Sequence, residues 1–243
     1  MTRALRAALG SRDVGRGGSF RWRGHEVTRL EGFTDAVFAF AVTLLVVSLE
    51  VPKTFEELTA AMRGFLPFGV CFGILIWIWY EHYLFFRRYG LQDARTVFYN
   101  ALLLFVVLFY VYPLKFLFRL VLGPVAGMTS APMDAASVRT LFVIYGAGVI
   151  AVFGVLALLH IHALRRRAAL ELEAIEVFDT KSNVLRHIEM ASVGLLSVIL
   201  ARTLPARAVG LAGYVYFLFG VLQAAHGAIA GARRRRLFEK RAS

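Results

Sequence analysis

Arg29, Thr34 and Asp35 stand at the head of an otherwise apolar run that reaches Pro52. Charged and hydroxyl groups at the mouth of a membrane helix are costly to desolvate and mark functional or structural partnerships. From Phe33 to Val51 the run is long enough, at about 1.5 Å per residue, to cross a hydrocarbon core. Asp35 and Thr43 sit inside it and need partners. Other polar groups are placed to supply them: Trp79 and His82 close the second apolar block, and Asn100 lies in the first turns of the third. With an inward N-terminus these groups fall at one membrane depth, where a closed hydrogen-bond network would lock the helices together. The six-residue spacing of Arg29 and Asp35 does not put them on one face of a continuous helix.

A second pattern runs along the same segment. Phe33, Ala36, Phe40, Thr43 and Val47 recur at steps of three and four and form one stripe. Copies of this stripe around an axis would build a narrow apolar tube with one polar ring at Thr43. Periodicity alone favours a plainer reading, in which the stripe packs on a neighbour and Thr43 bonds back to the carbonyl four residues earlier.

The elements that must hold these residues are membrane helices. Hydrophobic residues make up 58% of the 243 residues, above the roughly 45–50% of a soluble domain, and mean hydropathy is +0.64. Further apolar blocks span Leu66 to Phe86, Val97 to Leu122, Leu141 to Leu164, Ile188 to Leu204 and Ala208 to Ala230. The expectation is an all-α polytopic membrane protein with six transmembrane helices. Its expected parts are a basic cytoplasmic tail over 1–28, a helical domain over 29–230 and a second basic tail over 231–243. Continuous apolar runs, rather than alternation, exclude a β-barrel.

The net charge of +12 comes from 28 Lys and Arg against 16 Asp and Glu. Most of the basic residues fall in the N-terminus, the second and fourth loops and the C-terminus. By the positive-inside rule both termini are cytoplasmic, in a multi-pass cell-membrane protein. The arginines before Trp22 and those at 233–236 are placed to meet anionic lipid headgroups. No aromatic-interleaved basic fold points to nucleic acid. Residues 1–23 are Arg-rich and nearly acid-free, as in a transit peptide. They read better as a cytoplasmic tail, flexible around Gly15, Gly17 and Gly18, without the apolar core of a secretory signal.

Catalytic patterns are lacking: there is no Walker loop, HExxH or GxSxG, and no metal or cofactor is expected. His160 and His162, two apart, point to different helix faces and make a poor metal pair. Glu171, Glu173, Glu176 and Asp179 beside Arg165, Arg166 and Arg167 read as a solvated amphipathic helix laced by ion pairs. Cys71 reads as a buried small hydrophobe. Gly69/Gly73 and Gly227/Gly231 have the spacing of close helix contacts.

Arg29-x-x-x-Phe33-Thr34-Asp35 resembles the Arg-x-x-x-Phe-Ser-Asp signature of the transmembrane protein 175 family of potassium channels. The resemblance extends to Trp79-x-x-His82-x-x-Phe85 and to Asn100-x-Leu102-Leu103-Leu104-Phe105 with Pro113, covering about Arg29 to Pro113. It implies a homotetramer without a P-loop filter, in which first helices line a potassium-preferring cation pathway. Its constriction would be Phe40, five after the motif aspartate, with further rings at Thr43 and Val47. Arg29, Phe33, Thr34, Asp35, Trp79, His82 and Asn100 would form the structural polar network. Thr34 replaces the family's Ser, Phe40 stands where Ile or Leu is expected, and Tyr83 where relatives often carry a second His. With the resemblance, the stripe reads as pore lining. Two other functions fit parts of the pattern: a proton- or solute-coupled transporter titrating Asp35 and His82, and a non-conducting scaffold binding lipid through its tails.

Overall fold

A computed structural model describes residues 20–47, 52–128 and 133–242, with the side chains of Val47, Ala60 and residues 238–242 excepted. The tail expected around Gly15, Gly17 and Gly18, and residues 48–51 of the first apolar run, lie outside the described residues. The described fold is helical: α1 (Arg29–Val47), α2 (Phe55–Arg63), α3 (Phe65–Tyr89), α4 (Ala94–Leu122), α5 (Ala135–Arg165), α6 (Ala174–Thr203), α7 (Leu211–Tyr214) and α8 (Leu218–Ala242), with 3-10 turns at Ala206–Ala208 and Val215–Phe217.

Local chemistry sets where the helices begin. Thr28 and Glu31 form a reciprocal cap at the head of α1: Glu31 Oε2 accepts from the Thr28 N–H at 2.9 Å, and Thr28 Oγ1 accepts from the Glu31 N–H at 3.2 Å. Asp93 and Asp134 cap α4 and α5 by accepting from the Thr96 and Ser137 N–H groups. Gly90 ends α3 in the left-handed region at φ 59°, a conformation that costs glycine little.

Five stretches are long and apolar enough to cross a membrane: Phe65–Tyr89, Ala94–Leu122, Ala135–Arg165, Ala174–Thr203 and Ala206–Leu237. The protein is thus a polytopic, helical membrane protein. The 19-residue α1 is not among them; Arg29, Glu31 and Asp35 all fall in its first two turns. Two boundaries differ from expectation. The helix read as starting at Ile188 begins at Ala174, because Glu173 and Glu176 form a capping box there and the polar residues that follow find partners. The last apolar block is broken around Gly210 and Gly213 into short turns before α8.

α1 packs against α3 and α4, α4 against α5, α5 against α6, and α6 against α8. The core holds Leu45, Cys71, Phe85, Leu103, Leu156, Leu159 and Met190, each 0% exposed. α5 and α6 approach closely at two glycines: a Cβ on Gly146 would lie 2.6 Å from the Gly194 carbonyl oxygen. The pairs marked by spacing alone, Gly69/Gly73 and Gly227/Gly231, face open space within the protomer.

The basic N-terminal segment docks where it becomes described. Phe20 is buried edge-on to Tyr89 at 5.6 Å. Arg23 pairs with Glu176 at 2.6 Å, and the N–H groups of Arg23 and Gly24 donate to the Arg87 carbonyl. Glu176 is therefore buried rather than solvated, a correction to the sequence reading of the 171–179 cluster. Asp179, half-buried, pairs with Arg234 of α8.

Candidate functional site

The motif residues separate onto two faces of α1. Inward, at helical steps, lie Glu31, Thr34, Phe38, Ala41 and Leu45, all buried. Thr34 Oγ1 donates to the Leu30 carbonyl at 2.9 Å and so is free to accept from Asn100 Nδ2 at 2.8 Å. That fixes the Asn100 amide, whose Oδ1 must accept from His82 Nε2 at 2.7 Å. His82 thus carries its proton on Nε2. Thr34, Asn100 and His82 are 0%, 1% and 2% exposed, so three helices are tied by one directional chain with its donors matched to acceptors. Burial strengthens such a chain and makes any break in it costly. The His82 ring also lies 4.5 Å from that of Phe86.

Asp35 belongs to a different set. It sits at the exposed edge of α1 and accepts from Trp79 Nε1 at 2.7 Å; the Trp79 indole stacks on Tyr83 at 5.7 Å. Arg29 and Phe33 stand apart: both are exposed, and among the described residues Arg29 bonds to none of these groups.

Outward, α1 presents Phe33, Ala36, Phe40 and Thr43, all exposed in the protomer, with Phe40 at 56%. Thr43 Oγ1 donates to the Ala39 carbonyl at 2.9 Å. The back-bond spends its hydrogen and leaves oxygen lone pairs toward the open side. The Val47 side chain lies outside the described residues.

Several polar contacts escaped the sequence reading. Glu81 of α3 and Arg186 of α6 form a two-point ion pair at 2.9 and 2.5 Å, with His187 Nε2 3.9 Å from the same carboxylate. The available signal was one opposite charge near the end of each of two apolar blocks. Lys115 of α4 donates to the Leu45 carbonyl of α1 at 3.1 Å. His160 and His162 do diverge: His160 is buried with Nδ1 on the Leu156 carbonyl, and His162 contacts Asp93 at 2.8 Å. Partial burial alone would raise the Asp93 carboxyl, but bonds from the Thr96 N–H, His162, Arg166 and Thr96 Oγ1 outweigh it and hold it well below the usual carboxylate range.

Residues 29–110 match the family described as "Endosomal/lysosomal potassium channel TMEM175". A potassium channel from Marivirga tractuosa is 42% identical over 238 residues, covering 93% of this chain and 96% of its own. The chain belongs to the TMEM175 family. The crystal structure of a variant of the potassium channel MtTMEM175, bound to a nanobody–MBP fusion protein, superposes with a TM-score of 0.80. It is 40% identical and covers 90% of this chain and 100% of its own. A lysosomal potassium-selective channel TMEM175 homologue from Chamaesiphon minutus shares the fold at a TM-score of 0.55 and 22% identity, over 82% of this chain and 96% of its own. The family match contains the α1 stripe together with Thr34, Asp35 and their partners on α3 and α4, and this protein carries the Trp79–Asp35 and His82–Asn100–Thr34 contacts within it.

Proposed function

We propose that this TMEM175-family protein is a potassium-preferring cation channel whose pathway is lined by the first helices of a homotetramer. One observation carries the reading: α1 is fully packed on its Thr34–Phe38–Ala41–Leu45 face yet leaves Phe33, Ala36, Phe40 and Thr43 uncovered. A helix anchored by one face and bare on the other is suited to lining a shared axis. Phe40 would form the narrowest ring, Thr43 a ring of oxygen acceptors and Val47 a further apolar ring. An ion passing apolar rings must shed or deform its hydration shell, and such rings gate by dewetting. Potassium holds its water less tightly than sodium and meets the smaller barrier. The Thr43 oxygens offset part of that loss, since their hydrogens are committed to Ala39.

In this reading α1 is the first of six spans, the helical domain runs over 29–230, and both termini lie in the cytoplasm. The buried His82–Asn100–Thr34 chain and the Asp35–Trp79 bond hold α1 at a fixed rotation, so they position the pathway without entering it. A coupled transporter would pass a proton between Asp35 and His82, but no hydrogen bond joins them: Asp35 bonds to Trp79, His82 to Asn100. Purified protein in liposomes tests the proposal. Potassium flux above sodium flux under equal gradients is expected; equal fluxes, or uptake that requires a proton gradient, would reject it.

A further inference from the structure

α6 and α8 run antiparallel, since Asp179 meets Arg234 while Ser182, farther along α6, meets the earlier His226. Between them lies a groove of about 480 Å³, within the range of about 300–1,000 Å³ common for small-molecule sites. Its composition changes along its length. One end carries Lys181 and Arg233; one helical turn deeper come Leu185 and Ile229, and then Leu222. Of the carboxylates nearby, Asp179 pairs with Arg234 at 3.1 Å, and Glu189, which lines the groove at the level of Leu222, has Oε2 3.0 Å from His226 Nδ1. Among the described residues Lys181 and Arg233 form no ion pair or hydrogen bond, and both are exposed. Two uncompensated cations over an apolar slot, on helices long enough to cross a bilayer, complement a molecule with an anionic head and a hydrocarbon tail.

We propose that this groove binds an anionic phospholipid, its phosphate between Lys181 and Arg233 and one acyl chain along Leu185, Ile229 and Leu222. The site clamps α6 to α8, with one cation from each helix at the same end. It rests on the membrane character of the chain but not on the ion pathway, and its test reads no flux.

The full-length protein in neutral detergent is titrated with phosphatidylglycerol or phosphatidylcholine, and apparent affinities are taken from melting curves. Phosphatidylglycerol should protect and phosphatidylcholine should not. With each interfacial cation contributing on the order of 1 kcal/mol, the double variant Lys181→Gln/Arg233→Gln should bind phosphatidylglycerol about tenfold or more weakly. Arg235→Gln/Arg236→Gln, on the exposed flank of α8, should bind as the parent does. Leu185→Trp, which keeps both cations and fills the slot, should also lose the lipid. The proposal falls if the groove double variant binds like the parent, if the flank variant loses as much, or if glycerol phosphate protects as well as the lipid, which would make this an anion site without a chain.

Discussion

The inward and outward faces of α1 are built from similar residues but finished differently. Inward, Thr34 and its partners His82 and Asn100 are buried and bonded end to end, with Phe38, Ala41 and Leu45 in the core. Outward, Phe40 and Thr43 lie open, and the Thr43 hydroxyl is bonded only to its own helix. A buried face carries stability, because every group removed leaves a partner without water or bond. An open face carries little stability in the protomer and is free to serve an ion or a second copy. Substitutions on the two faces should therefore separate into those that unfold and those that alter conduction.

The largest effect is expected at Asn100, the middle of the buried chain. Asn100→Leu leaves the buried His82 N–H without its acceptor, at about 1–3 kcal/mol, and removes the bond that the Thr34 oxygen accepts while its own bond to Leu30 remains. Its melting temperature in detergent should drop by many degrees; an unchanged value would break the account of the inner face. Glu176→Gln comes next. It weakens the 2.6 Å pair with Arg23 by about 1–3 kcal/mol, and limited trypsin digestion should then cut faster after Arg23 than in the parent. Asp35→Ala, at the edge between the faces, loses one bond to Trp79 and should cost about 1 kcal/mol. In the proposed tetramer, assembly should weaken before selectivity shifts; an Asp35→Ala protein that stays assembled but loses a pH dependence of flux would instead favour the titrating transporter.

Thr43→Val should cost least. It keeps shape and removes only a hydroxyl whose hydrogen serves its own helix, so stability should change by less than about 0.5 kcal/mol. Potassium over sodium preference, read as a reversal potential, should fall. An unaltered preference would leave Thr43 as a helix-bonded residue without a role in the pathway. Acid offers a control on stability alone. Asp93 has its folded pKa held below the usual 3.8, so its contribution is complete above that value and is lost as pH falls below it. Asp93→Asn should flatten the acid limb of the melting-temperature profile.

Much of this was legible in the residues, and the exceptions have physical reasons. The step pattern of Phe33, Ala36, Phe40 and Thr43 marked one face of α1; periodicity alone favoured that face packing on a neighbour, whereas within the protomer it is exposed and Thr34, Phe38, Ala41 and Leu45 pack instead. Trp79, His82 and Asn100 were marked as partners because polar groups at the ends of apolar blocks must be satisfied. The pattern did not say that they divide into two sets, since hydrogen-bond direction depends on helix rotation and not on spacing. Apolarity also measures the part of a helix that suits lipid, not the helix itself. α6 therefore begins at Ala174, over a polar stretch whose partners, Arg23, Arg234 and Glu81, are distant in sequence. The burial of Phe20 was hidden for the same reason, because a short aromatic among arginines has no periodicity to read.

The outer face is tested most directly at Phe40, 56% exposed in the protomer. Phe40→Ala in liposomes, with potassium and sodium gradients compared, should raise cation flux and lower the preference for potassium while the melting temperature stays near that of the parent. Flux and preference both unchanged in a folded Phe40→Ala protein would take this residue, and with it the outer face of α1, out of the ion pathway.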